Sequence, residues 1–124
     1  MKNSIPKSAA PCQADTVAAN RASFEAIAEL FRVFGDATRL QILQALTQGE
    51  RNVGQLVEEL ELTQANVSKH LKILHDAKIV SREKRGTATF FEIDDDFIHP
   101  LCELICDKLN RNYEQPTTNI SFSI

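Results

Sequence analysis

Leu62-Thr63-Gln64-Ala65-Asn66-Val67-Ser68-Lys69-His70-Leu71-Lys72-Ile73-Leu74 combines an apolar stripe and a polar face in one short segment. Val67, Leu71 and Leu74 recur at i, i+4 and i+7, the spacing of one buried helical stripe, and Thr63 stands where an N-cap is needed. The remaining surface carries Gln64, Asn66, Ser68, Lys69 and Lys72. Amide, hydroxyl and ammonium groups crowded toward a helix N-terminus can hydrogen-bond base edges and neutralise phosphates, and the helix dipole adds attraction for the anionic backbone. A solvated amphipathic helix would share part of this pattern, so the flanking segments matter.

Upstream, Asn52-Val53-Gly54-Gln55-Leu56-Val57-Glu58-Glu59-Leu60 predicts a second short amphipathic helix capped by Asn52, and only Glu61-Leu62 separates the two. Such spacing predicts a helix-turn-helix. Downstream, Ile79-Val80-Ser81-Arg82-Glu83-Lys84-Arg85-Gly86-Thr87-Ala88-Thr89-Phe90-Phe91-Glu92-Ile93 holds two β-prone runs around Arg85-Gly86, a hairpin with a basic turn. The predicted fold is mainly α with a small β-hairpin, a winged helix-turn-helix. In such a fold the second helix takes the major groove of DNA and the wing lies along the backbone or minor groove.

Charge placement supports this independently. The chain is mildly acidic, at net −3. Residues 64 to 86 nevertheless carry Lys69, Lys72, Lys78, Arg82, Lys84 and Arg85 against Asp76 and Glu83, a local +4 that leaves −7 on the remainder. One face then attracts phosphate while the rest repels it, which orients the protein on DNA and makes binding salt dependent.

The 124 residues, 43% hydrophobic, suit one domain. No apolar run approaches the ~20 residues that span a bilayer, and the N-terminus lacks an apolar signal-peptide core, so a cytoplasmic location is expected. No Gly-rich phosphate loop, nucleophile elbow or paired acid/base cluster is present, and no enzyme is expected. Residues 1–13, with Pro6 and Pro11, read as a flexible N-terminal arm, 14–112 as the DNA-binding and dimerisation domain, and 113–124 as a C-terminal tail. A helical pattern runs from 14 to 34 with Phe24, Ile27, Ala28, Phe31 and Phe34 three or four apart. Asp36 is placed to cap a helix carrying Leu40, Ile42, Leu43 and Leu46 and stopping at Gly49. Asp94-Asp95-Asp96 is placed to open a last helix reaching about Asn112, where the dipole favours acidic groups. The first and last helices are more apolar than a three-helix core requires, which makes them the expected dimer interface.

Val33-Phe34-Gly35-Asp36-Ala37-Thr38-Arg39-Leu40-Gln41-Ile42-Leu43, the segment 62–74 and the hairpin end Phe90-Phe91-Glu92-Ile93 closely resemble the ArsR/SmtB family of winged-helix repressors over roughly residues 20 to 110. The resemblance implies a homodimer of four helices, a hairpin and a fifth helix, joined through the first and fifth helices. It also implies a repressor that holds a palindromic double-stranded operator until an inducer releases it, the inducer being commonly a metal ion, arsenite or an oxidised sulfur species. Carried over, Gln64, Ala65, Ser68, Lys69 and His70 fall where the family reads DNA, and Lys84, Arg85 and Thr87 fall in its wing. Asn66, Lys72 and Arg82 join them from the charge and polarity pattern.

The inducer is less legible. The third helix carries no Cys-x-Cys, the family's soft-metal pattern. Asp96 and His99 are one residue too far apart for the family's zinc motif, and Asn110 and Tyr113 stand where its second ligand pair belongs, which weakens a zinc reading. Cys102 and Cys106 are four apart on one helical face, with Cys12 in the arm. Such a pair closes a disulfide poorly but can clamp a large soft ion, and a third thiolate from the arm would complete a site for As(III) or Sb(III). His99 is a further candidate partner of Cys102. Packing is the plain alternative, since Ile98, Leu109 and Tyr113 share the face and reduced cysteine behaves as a small hydrophobe; redox or reactive-sulfur switching is another. An odd cysteine count argues against a structural disulfide framework. His70 and His75 otherwise read as hydrogen-bonding or surface residues. A winged-helix protein-interaction module is the rival of a different class, but its exposed helix would carry aromatic or Leu anchors rather than Gln, Asn, Ser and Lys.

Overall fold

Asn20, Asp36, Asn52 and Thr63 each turn a side-chain oxygen onto a backbone N–H three residues on, and these four caps set the helical frame. The computed structural model describes residues 20–112; the arm, Cys12, Tyr113 and the tail lie outside them. The elements are α1 (Arg21–Phe34), α2 (Ala37–Leu46), β1 (Arg51–Asn52), α3 (Val53–Leu60), α4 (Gln64–Asp76), β2 (Val80–Arg85), β3 (Ala88–Ile93) and α5 (Ile98–Asn112).

Three boundaries differ from the sequence reading. α1 starts at Arg21, because Asn20 is extended and its Oδ1 accepts from Ser23 N at 3.0 Å; residues 14–19 are outside the described part. α2 ends at Leu46 rather than running to Gly49: Gln48 N and Gly49 N donate to Ala45 O and Leu46 O, three residues back, and Gly49, at φ 134°, turns the chain into β1. The Asp94–Asp96 run precedes α5 instead of occupying its first turn. There Asp95 supplies its backbone oxygen to Ile98 N and its carboxylate to Phe97 N, both at 3.4 Å.

The helix-turn-helix forms as its local chemistry dictates. Asn52 and Gln55 make a reciprocal capping box at 2.8 and 2.9 Å. Glu61 takes the left-handed conformation at φ 56° to end α3, and Thr63 Oγ1 accepts from Asn66 N at 3.1 Å to start α4. The wing turns at Gly86, φ 64°, where a side chain would be strained. β1 adds a strand that the sequence did not announce. It pairs Arg51 with Phe91 and Asn52 with Phe90, giving an antiparallel sheet of order β1-β3-β2.

The core lies where α2, α3 and α4 meet the base of the sheet and α5. Ile42, Leu43, Leu56, Val67, Leu71, Leu74, Ile79 and Ile98 are all essentially without solvent contact, each contributing about 1.5–3 kcal/mol of burial. α1 buries only Val33 and leaves Phe24, Ile27, Leu30 and Phe31 exposed, as α5 leaves Leu104 and Ile105. Among the described residues no helix is long and apolar enough to cross a membrane.

Candidate nucleic-acid interface and thiol cleft

Packing of Val67, Leu71 and Leu74 into the core fixes which way α4 faces. Gln64, Ala65, Ser68, Lys69 and Lys72 are turned to solvent and Asn66 is half-buried. Lys72 Nζ lies 3.1 Å from Asp76, while Lys69 makes no ion pair among the described residues. Asn52, Gln64, Thr87 and Thr89 border a polar cleft of about 370 Å³ between the N-terminal ends of α3 and α4 and the wing tip. Arg82, Lys84 and Thr87 are exposed on the wing.

His70 departs from the groove-facing set. It is 5% exposed and lies on the inner side of α4, so it is not placed to touch a base. Arg39 Nη1 is 3.0 Å from His70 Nδ1, and since a guanidinium can only donate, Nδ1 accepts. The neutral ring then carries its proton on Nε2, 4.0 Å from Asp36 Oδ1. Arg39 also donates to Val33 O at 2.7 Å and Arg32 O at 3.2 Å, so one side chain joins the end of α1, the start of α2 and the inner side of α4. Burial pushes the His70 pKa down, the nearby Arg39 and Lys69 charges add to this, and Asp36 opposes it. The Arg39 backbone N–H leads in holding the Asp36 carboxyl below its ordinary value. His75 is half-buried, 4.0 Å from Asp76.

Arg85 is also differently engaged from the other wing cations. Its guanidinium forks onto Glu50 at 2.6 and 2.9 Å, donates to Glu83 at 2.8 and 3.3 Å, and covers the Phe90 ring at 4.7 Å. Hydrogen bonds donated to Glu50 and Glu83 hold it more firmly protonated, and Arg85 in turn lowers the Glu50 pKa. Nothing local in the sequence signals a partner 35 residues away.

Cys102 and Cys106 are buried thiols, 6% exposed each, on the face of α5 toward α1 and α2. With Phe31, Phe34, Leu40 and Ile105 they line an apolar cleft of about 350 Å³. Burial, and then the neighbouring Cys106, push the Cys102 thiol up. His99 is not brought to them. It borders a separate cleft with Glu50, Glu92, Asp95 and Asp96, its Nε2 3.7 Å from Glu103 and its Nδ1 buried without a hydrogen-bond partner. The described residues contain no group of three His, Cys, Asp or Glu side chains arranged to hold a metal ion.

Comparison with known proteins agrees with this architecture. Residues 36–82 match the family model described as bacterial regulatory protein, arsR family. An uncharacterized HTH-type transcriptional regulator of Methanocaldococcus jannaschii is 41% identical over 83 residues, 66% of this chain and 93% of the relative. The arsenical resistance operon repressor of Bacillus subtilis is 38% identical over 79 residues, 61% of this chain and 75% of the relative. The crystal structure of the AntR antimony-specific transcriptional repressor superposes with a TM-score of 0.67 at 25% identity, covering 85% of this chain and 96% of that one. Sequence match, winged-helix architecture and an exposed polar α4 converge: the chain belongs to the ArsR family of bacterial regulatory proteins, DNA-binding transcriptional regulators of the repressor class and not enzymes.

Proposed function

We propose that this protein is a homodimeric repressor of a palindromic operator, released when a trivalent metalloid such as arsenite or antimonite bridges the α5 thiols. The observation that carries the inducer is the pair Cys102 and Cys106 together on one apolar cleft between α1 and α5. Exposed apolar side chains on the same two helices support a dimer interface beside that cleft. Gln64, Ala65, Asn66 and Ser68 read the major groove, while Lys69, Lys72, Arg82, Lys84 and Thr87 meet the backbone. A metalloid held by the two α5 sulfurs occupies the cleft against Phe31 and Phe34 of α1, which shifts the interface and with it the spacing of the two reading helices.

The raised Cys102 pKa favours a metalloid over zinc. Zinc needs thiolates, and deprotonating a buried thiol adds to the cost of binding. Arsenite exchanges ligands with neutral thiols: As(OH)₃ and two R–SH give (RS)₂AsOH and two waters, each thiol proton leaving with a hydroxide of the arsenite. Cys12, outside the described residues, would displace the last hydroxide as a third water. The similarity to arsenical and antimony-specific repressors supports the same class of inducer.

Fluorescence anisotropy of the protein–operator complex tests the reading. Arsenite should release DNA from the reduced protein and fail to do so from Cys102→Ser or Cys106→Ser, with Cys12→Ser weakening the response where the arm supplies a third sulfur. Zinc or a persulfide donor serves as the contrast. Release by zinc that survives loss of both α5 cysteines would overturn the thiol site.

A further inference from the structure

The wing cations divide between the two faces of the sheet. Directly opposed residues in an antiparallel pair share a face. Val80, Arg82 and Lys84 oppose Ile93, Phe91 and Thr89, and this set contains the buried Val80 and Phe91, so Arg82 and Lys84 lie on the core-bearing face. Ser81, Glu83 and Arg85 oppose Glu92, Phe90 and Ala88 on the other face.

On that outer face Arg85 reaches from β2, across Phe90 of β3, to Glu50 immediately before β1. A guanidinium has five N–H donors in a fixed fork. Four hydrogen bonds to Glu50 and Glu83 occupy it on its edge, and the phenyl ring covers one of its faces. One cation shared by two carboxylates leaves a net −1 cluster, which repels phosphate. Glu50 also continues directly into Arg51 and Asn52, the β1 pair that zips onto β3, and into the α3 capping box. The Arg85–Glu50 fork therefore straps the outermost strand of the wing to the entrance of the helix-turn-helix.

We propose that Arg85 is a positioning residue, not a phosphate contact: with Glu50 it fixes the tilt of the wing so that Arg82 and Lys84, on the opposite face, meet the DNA backbone. The proposal rests on the wing lying along DNA, which Lys84→Ala tests by itself.

Binding of the full-length dimer to its operator is measured by anisotropy across a salt series. Lys84→Ala should flatten the slope of log K against log salt by about 0.9; an unchanged slope removes the wing from the DNA and the proposal with it. Arg85→Met and Glu50→Gln should each weaken operator binding by about fivefold, with unchanged salt slope and unchanged melting of the helices. The sign for Glu50→Gln is diagnostic, because deleting an acid near DNA ordinarily tightens binding. The charge exchange, Glu50→Arg with Arg85→Glu, should recover most of the affinity that Arg85→Glu loses alone. Tighter binding and a slope steeper by about 0.9 in Glu50→Gln, or a slope flattened by that amount in Arg85→Met, would overturn the proposal. So would failure of the exchange to recover affinity.

Discussion

The two ring nitrogens of His70 face opposite charges, the Arg39 guanidinium at 3.0 Å and the Asp36 carboxylate at 4.0 Å. Burial depresses its pKa below the ordinary 6.5, so as pH falls the unfolded chain takes up the proton first. The stability linked to neutral His70 is complete above pH 6.5 and is lost as pH falls from there through the lower folded value. Urea midpoints should accordingly drop between pH 7.5 and pH 5.5, and the drop should shrink in His70→Gln, which keeps an acceptor for Arg39 but cannot titrate. An equal drop in the variant would assign the pH dependence to other groups. The sequence did hold a clue to this residue: positions 67, 70, 71 and 74 form the i, i+3, i+4, i+7 arc of a buried stripe, and His70 completes it. Its polarity, in a segment otherwise rich in side chains suited to contacting DNA, drew it to the wrong face. Arg39 gave no such clue, because its partners lie at the end of α1 and 31 residues away in α4.

Single elements were legible where short-range chemistry specifies them. α3 and α4 each pair a capping side chain with an apolar stripe, and both begin at the caps read from the sequence. β1 was not legible: two residues are too few for alternation to show, and they become a strand only because β3 offers an edge. The α5 start was misplaced because an acidic run satisfies a helix dipole in principle, whereas here Asp95 serves the turn before the helix. For α4, replacing Gln64 or Ser68 by Ala should cost on the order of 1–3 kcal/mol on the preferred operator and little on random DNA. Competition anisotropy with both DNAs measures this. Unchanged operator affinity in both variants would mean that α4 does not read the groove.

At the scale of the molecule, composition and order of motifs were enough to identify the winged helix, while the cross-sheet strap and the Arg39 hub depend on contacts that only the folded chain creates. The apolar excess of α1 and α5 was also readable, and the structure leaves Phe24, 57% exposed, and Leu104, 67% exposed, in water on one protomer. Phe24→Glu or Leu104→Glu should shift sedimentation equilibrium toward the 13.9 kDa protomer and weaken operator binding at least tenfold, with the circular dichroism of the helices retained. Twice the protomer mass in both variants would place the interface elsewhere. If those uncovered phenyl and leucyl groups join two protomers as proposed, the concentration of the protein itself becomes part of its control. With the dimer as the binding unit and the protomers in excess at low abundance, operator occupancy climbs with the square of concentration. A twofold fall in protein concentration would then lower operator occupancy by nearly fourfold in that regime, so a gene controlled in this way would respond to dosage with a threshold even when no inducer is present.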